Sequence, residues 1–208
     1  MDYIIVILIG YFFGCLQWSY ILSMIIKKQD IRSLGGGNAG ASNMVVSFGW
    51  KIGALVALLD IFKAIISILI IRYLISTYVL ENHMFYIYLN GLFVILGHNF
   101  PFYMNFKGGK GTASTFGMLI AIDYRLGIIG FFIVLMVTLI TDFIALGALA
   151  LVMFLVLGTM FLKLGNPSIL IAVLITLLAI YKHIPNIKNI LAKKEDGLRR
   201  QFKKKSKI

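Results

Sequence analysis

The sequence predicts an all-α, polytopic integral membrane protein with seven transmembrane helices and cytoplasm-facing loops that carry the candidate site. Three observations lead there. Of 208 residues, 60% are hydrophobic and 13% charged, and the mean hydropathy of +0.94 lies outside the range of soluble domains. Seven apolar runs follow one another, against a bilayer core that needs roughly 20 residues of helix. The lysines and arginines fall on alternate loops, as the positive-inside rule requires.

The expected spans are 3–26, 52–75, 85–104, a short one at 112–124, then 126–141, 146–163 and 168–183. The first lacks a leading basic cluster and a small-residue cleavage site, so it reads as a retained span and not a signal peptide. Charge decides whether 112–124 crosses. With seven spans one side receives Lys27, Lys28, Arg32, Lys51, Lys107, Lys110 and the basic tail, while the other receives Arg72, Arg125 and Lys163. Without that span the first loop and the tail would lie on opposite sides. The amino terminus is therefore expected outside and the carboxyl terminus in the cytoplasm, with residues 1–183 as the membrane domain and 184–208 as a polybasic tail resting on anionic lipid. The net charge of +12 reports this loop asymmetry and does not call for nucleic acid. The single cysteine, Cys15, rules out an internal disulfide and a Cys-rich metal site.

Polar residues cluster in the loops expected on the cytoplasmic side. The first is DIRSLGGGNAGASN at 30–43. Its Gly35, Gly37 and Gly40 spell G-x-G-x-x-G with Asp60 twenty residues on, but a dinucleotide fold needs a preceding strand, and here the motif joins two membrane helices. Consecutive glycines still let backbone N–H groups turn toward an anion, with Arg32 as a forked donor and Asn38, Ser42 and Asn43 as neutral ones. A flexible linker is the plainer alternative. The second block is LGHNFPFYMNFKGGKGTA at 96–113. Met104 stands where a Walker A loop has its first glycine and Gly111 follows Lys110, so a nucleotide P-loop is excluded. Gly108, Gly109, Lys110 and Gly111 still suit a phosphate at the start of a helix. His98 and Asn99 end the third span, either as structural hydrogen-bond partners or as substrate contacts. The third block, HIPNIKNILAKKE at 183–195, repeats this chemistry with His183 and Asn186, and Glu195 beyond.

Within the second span Asp60 and Lys63 stand three residues apart, on one helical face, where ionisable groups need a partner or water. Asp142 reads as a turn residue, and Glu81 and His83 as solvated residues of an outside loop.

In order and together, the three blocks resemble the acyl-phosphate:glycerol-3-phosphate acyltransferases of bacterial membranes. The resemblance runs from roughly Gly14 to Glu195. It implies a seven-helix enzyme of the cell membrane that moves a fatty acyl group from acyl phosphate to glycerol 3-phosphate, giving lysophosphatidic acid and phosphate in the first step of phospholipid synthesis. No cofactor or metal is implied, because the donor is already a mixed anhydride. By the same resemblance Arg32, Lys110, His183 and Asn186 hold glycerol phosphate, with His183 as the protein candidate for general base. Gly35, Gly36, Gly37 and Asn38, with the turn at Gly108, Gly109 and Gly111, cradle acyl phosphate. Three stretches depart from the family pattern. They are Gly14-Cys15-Leu16-Gln17 in the first span, Gly36, Ala39 and Ser42 in the glycine loop, and Asp142, Ala145, Gly147 and Ala148 where a serine-rich turn is usual. Those departures keep two alternatives open: transfer to another acceptor, and a lipid-binding protein without turnover.

Overall fold

The structure is a computed structural model that describes residues 3–78, 83–195 and 197–199. Glu81 and the tail residues 200–208 lie outside the described residues. Helices account for the described chain, with no strand among them: α1 (Tyr3–Cys15), α2 (Trp18–Lys27), α3 (Ala41–Phe48), α4 (Trp50–Tyr78), α5 (His83–Asn99), α6 (Thr112–Ile122), α7 (Tyr124–Thr141), α8 (Ile144–Phe161) and α9 (Asn166–Leu191). Five apolar stretches among them are long enough to cross a bilayer: Tyr3–Lys27, Trp50–Thr77, Tyr124–Thr141, Ile144–Phe161 and Asn166–Leu191. Large apolar side chains such as Phe62, Leu69, Phe131, Phe132 and Phe161 point outward, as lipid-facing surfaces do.

Several boundaries differ from the sequence reading, each for a local reason. The first apolar run breaks between Cys15 and Trp18. There the buried Gln17 leaves the helical path and donates from Nε2 to the His98 carbonyl. The third run ends as a helix at Asn99, not at 104, because Pro101 follows and the residue before a proline is pushed out of helical geometry. The first loop contains a helix, α3, that glycines hide; Gly49 at φ +95° ends it. The last helix continues through Pro185 to Leu191.

Close helix contacts hold the bundle together. A Cβ on Gly10 would lie 2.6 Å from the Asn90 carbonyl oxygen, and one on Gly14 would lie 2.2 Å from that of Val94. This small-xxx-small pair lets α1 lie backbone to backbone on α5. Polar side chains add cross-links where lipid offers no competing partner. Ser67 donates to Asn90 Oδ1 at 2.8 Å, Asn90 Nδ2 to the Val6 carbonyl at 3.1 Å, and Thr176 to that of Val152 at 3.0 Å. The main core joins α4, α5, α6, α8 and α9 through Ile68, Tyr88, Met118, Leu155 and Ile175. A smaller apolar cluster of Ile31, Ala39, Met44, Val56 and Met104 underlies the loops and fixes them to the bundle.

Candidate active site

The first two polar blocks meet through Arg32. Its Nε bonds both Asp30 oxygens, at 3.0 and 2.9 Å, and its Nη2 reaches Oδ2 at 2.5 Å. Nη1 donates to the carbonyls of Met104 at 2.6 Å and Lys107 at 3.3 Å. Asp30 also accepts from the Arg32 amide, which starts a short 3₁₀ turn at Ile31–Ser33. The Arg32 hydrogen bonds hold the Asp30 carboxyl below the usual carboxylate range, and Asp30 in return raises the guanidinium.

The glycine loop is built around Asn43. Its Oδ1 accepts from the Gly36 amide at 2.7 Å, and its Nδ2 donates to the carbonyls of Ile31, Leu34 and Asn38. Gly35 and Gly37 have φ of +52° and +72°, and a Cβ on Gly35 would strike Asn43 Oδ1 at 2.3 Å. The Gly37 amide bonds the Leu34 carbonyl, so two of the glycine amides point into the loop itself. Ser42, in the first turn of α3, is exposed, and Asn38 is half-buried beside it.

In the second block the amides of Gly108 and Gly109 donate back to the carbonyls of Asn99 and His98, each at 3.0 Å. A Cβ at either glycine would collide with His98, at 2.2 Å from its carbonyl oxygen for Gly108 and 2.1 Å from Nε2 for Gly109. The turn thus folds directly over the end of α5. Gly111, at φ +82°, begins α6 without a side-chain cap. The first amides of that helix are free of intrahelical partners. Beside them the Asn99 amide and Ser114 Oγ are buried and make no hydrogen bond among the described residues. A Cβ on Gly111 would lie 3.0 Å from Asn99 Oδ1.

Lys110 then reaches across to the third block. Its Nζ donates to Asn186 Oδ1, and Asn186 Nδ2 donates to Glu195 Oε1 at 2.6 Å. Burial pushes the Lys110 ammonium below the usual lysine range, and the Glu195 carboxylate opposes that shift. His183, buried one turn before, donates from Nδ1 to the Ala179 carbonyl at 2.8 Å; a carbonyl only accepts, so the Nε2 lone pair stays free. Lys182 also faces this corner, donating to the Asn99 carbonyl at 3.3 Å with its Nζ 4.8 Å above the Phe100 ring. The sequence reading gave Lys182 no place in the site. Its spacing of four from Asn186 was the available signal, since that places both on one helical face.

The turn at Asp142 joins the tail. Asp142, at φ +70°, accepts from the Arg199 amide at 2.8 Å, and its carbonyl accepts from the Leu198 amide at 2.8 Å. Gly147, in place of a hydroxyl residue, allows close packing, since a Cβ there would lie 2.4 Å from Thr138 Oγ1.

These features define a class: a multi-pass membrane protein whose loops bring a cationic, donor-rich cluster of side chains together at the end of a helical bundle. The chain belongs to the glycerol-3-phosphate acyltransferase family, whose model matches residues 4–193. It is 44% identical to glycerol-3-phosphate acyltransferase 1 of Oceanobacillus iheyensis over 99% of this chain and 100% of that one. It is 35% identical to the glycerol-3-phosphate acyltransferase of Thermoanaerobacter pseudethanolicus over 92% and 93% of the two chains. Among solved structures it superposes on PlsY (YgiH), an integral membrane glycerol 3-phosphate acyltransferase in its glycerol 3-phosphate form, with a TM-score of 0.85 and 26% identity. That match covers 95% of this chain and 96% of the other. The lysophosphatidic acid form of PlsY matches with a TM-score of 0.81.

Proposed function

We propose that the protein transfers a fatty acyl group from acyl phosphate to glycerol 3-phosphate, releasing phosphate and lysophosphatidic acid. The observation that carries this reading is the Lys110 to Asn186 hydrogen bond, which joins blocks 76 positions apart at the uncapped start of α6. A phosphate-bearing substrate needs such a meeting of an ammonium with open helix amides. Lys110, Asn186 and Arg32 hold glycerol 3-phosphate, Arg32 by exchanging part of its Asp30 and carbonyl contacts for phosphate oxygens. Gly108, Gly109 and Gly111 shape the turn, and Asn99, His98, Ser42, Asn38 and the Gly35, Gly36 and Gly37 stretch border the donor, with Asn43 holding that stretch in place.

The chemistry requires the acceptor hydroxyl oxygen to bond the acyl carbon as the carbon–oxygen bond to phosphate breaks. Phosphate leaves with that electron pair, and the hydroxyl proton passes to a base. His183 suits the last role because its Nε2 lone pair is uncommitted.

In the same reading α5 and α6 complete a seven-span topology with the amino terminus outside and residues 184–208 as the cytoplasmic tail. The bilayer then delivers the acyl donor and receives the product laterally. Purified protein given acyl phosphate and glycerol 3-phosphate is expected to form lysophosphatidic acid and phosphate in equal amounts. Phosphate release only with another alcohol, or none at all, overturns the reading.

A further inference from the structure

The bundle holds a second charged centre, buried beneath the glycine turn, whose Asp60 and Lys63 have no role in the reaction as proposed above. Asp60 and Lys63 of α4 and His98 of α5 are each no more than 3% exposed. Lys63 Nζ lies 3.0 Å from the Gly14 carbonyl oxygen, 2.8 Å from that of Leu16 and 2.9 Å from His98 Nδ1. Asp60 Oδ1 is 2.8 Å from the same nitrogen. The same oxygen is 3.6 Å from His98 Nδ1 and makes no hydrogen bond of good geometry to either nitrogen among the described residues, so it serves as a counter-ion.

An ammonium has three hydrogens and no lone pair. Its three well-directed partners are two carbonyls and Nδ1, and the carbonyls accept. The third hydrogen is aimed at Nδ1, which then accepts; an Nδ1–H would instead have to turn to Asp60 Oδ1, 3.6 Å away and beyond hydrogen-bond reach. The single proton of the neutral ring therefore sits on Nε2. That atom lies against Gly109, close enough that an added Cβ would be 2.1 Å away, with the Ala39 carbonyl oxygen of the glycine loop 2.6 Å from the same point.

We infer that Lys63, neutralised by Asp60, is a positioning residue that locks His98 as the Nε2-protonated tautomer and so presents an N–H donor where the two glycine loops meet. The same ammonium closes the break between α1 and α2 by binding the carbonyls of Gly14 and Leu16. One group thus ties the first span to the floor of the pocket. His183 carries its proton on the opposite nitrogen, so the pocket has one imidazole that donates and one that accepts. The consequence for turnover rests on the proposed acyltransferase reading; the tautomer does not.

The test uses the protein's three histidines, labelled with ¹⁵N at the imidazole and observed in lipid nanodiscs without substrate. His98, assigned by the signal lost in His98→Asn, is expected to show a protonated Nε2 and an unprotonated, hydrogen-bonded Nδ1, while His183 shows the reverse. Lys63→Met is expected to turn the His98 signal into a mixture of tautomers and to lower kcat about tenfold or more, with a much smaller change in KM for glycerol 3-phosphate. An Nδ1-protonated or doubly protonated His98 in the unaltered protein overturns the inference, whether or not any variant folds. An unchanged His98 signal in Lys63→Met also overturns it. If the protein makes no lysophosphatidic acid but His98 shows the expected tautomer, the acyltransferase reading fails and the positioning role stands.

Discussion

Two lysines in this protein have opposite degrees of freedom. Lys63 is fully buried, and all three of its hydrogens are directed at fixed acceptors with a carboxylate alongside. Lys110 is half-buried and, among the described residues, has Asn186 as its hydrogen-bond partner. A saturated ammonium has nothing to offer a ligand, so it serves as framework. An unsaturated one, beside open helix amides, keeps donors available. The contrast separates structural from functional charge by counting hydrogens, where residue type alone would group the two.

Five substitutions and one pH profile can break or sharpen that contrast. The largest effect is expected from Asp60→Ala, which strands the Lys63 charge inside the bundle. It should cost about 3–5 kcal/mol of stability, read as a lower unfolding midpoint in detergent. Lys110→Ala should leave that midpoint unchanged and reduce kcat/KM by about 10²–10³. A fall in midpoint there would place Lys110 with the framework. Asn186→Ala removes the hydrogen bond to Lys110 and releases Glu195; a loss of about 1.5–3 kcal/mol of transition-state stabilisation is expected in the same assay.

The pH profile is a subtler test. The Lys110 ammonium sits below the ordinary lysine range because of burial, so its charge is present at low pH and disappears earlier than usual as pH rises. The alkaline limb of kcat/KM, which reports the free enzyme, should fall with a midpoint below about 10.4. Lys110→Arg should move that limb upward, since a guanidinium stays charged throughout. Asp142→Ala should have the smallest effect. It loses an acceptor that holds the tail at Arg199, worth less than about 1 kcal/mol at an exposed site, and should appear as faster proteolysis of the tail with activity retained.

Much of the bundle could be read in advance because lipid imposes a simple rule. Apolar runs such as 126–141 and 146–163 became α7 and α8 within two residues of the expected ends. The pairing of Asp60 with Lys63 was also legible, since two ionisable groups one helical turn apart inside a span have few other outcomes. What escaped was what depends on partners distant in sequence. Gln17 interrupts an apolar run, but its use as a clamp on the His98 carbonyl requires knowing that α1 and α5 pack face to face. Asn43 looked like one more donor in a polar loop. Its four bonds to loop backbone are visible only once the chain has turned on Gly35 and Gly37. Lys182 was hidden by the basic residues after it, which share its charge and not its place. Asp142 was expected as a turn residue and is one, and its carboxylate meets the tail at Arg199, a partner 57 positions away.

The spacing of Asp60 and Lys63 also bears on how the chain enters the bilayer. A lone lysine or aspartate at the centre of a nascent span costs about 2.5–3.5 kcal/mol, and His98 is still 35 residues from being made when Lys63 is incorporated. Because its counter-ion rides on the same helix, the Asp60–Lys63 pair can be inserted as a neutral unit. The Gly14 and Leu16 carbonyls are already made by then, and His98 joins them later, so this lysine is not left as a bare charge waiting in lipid.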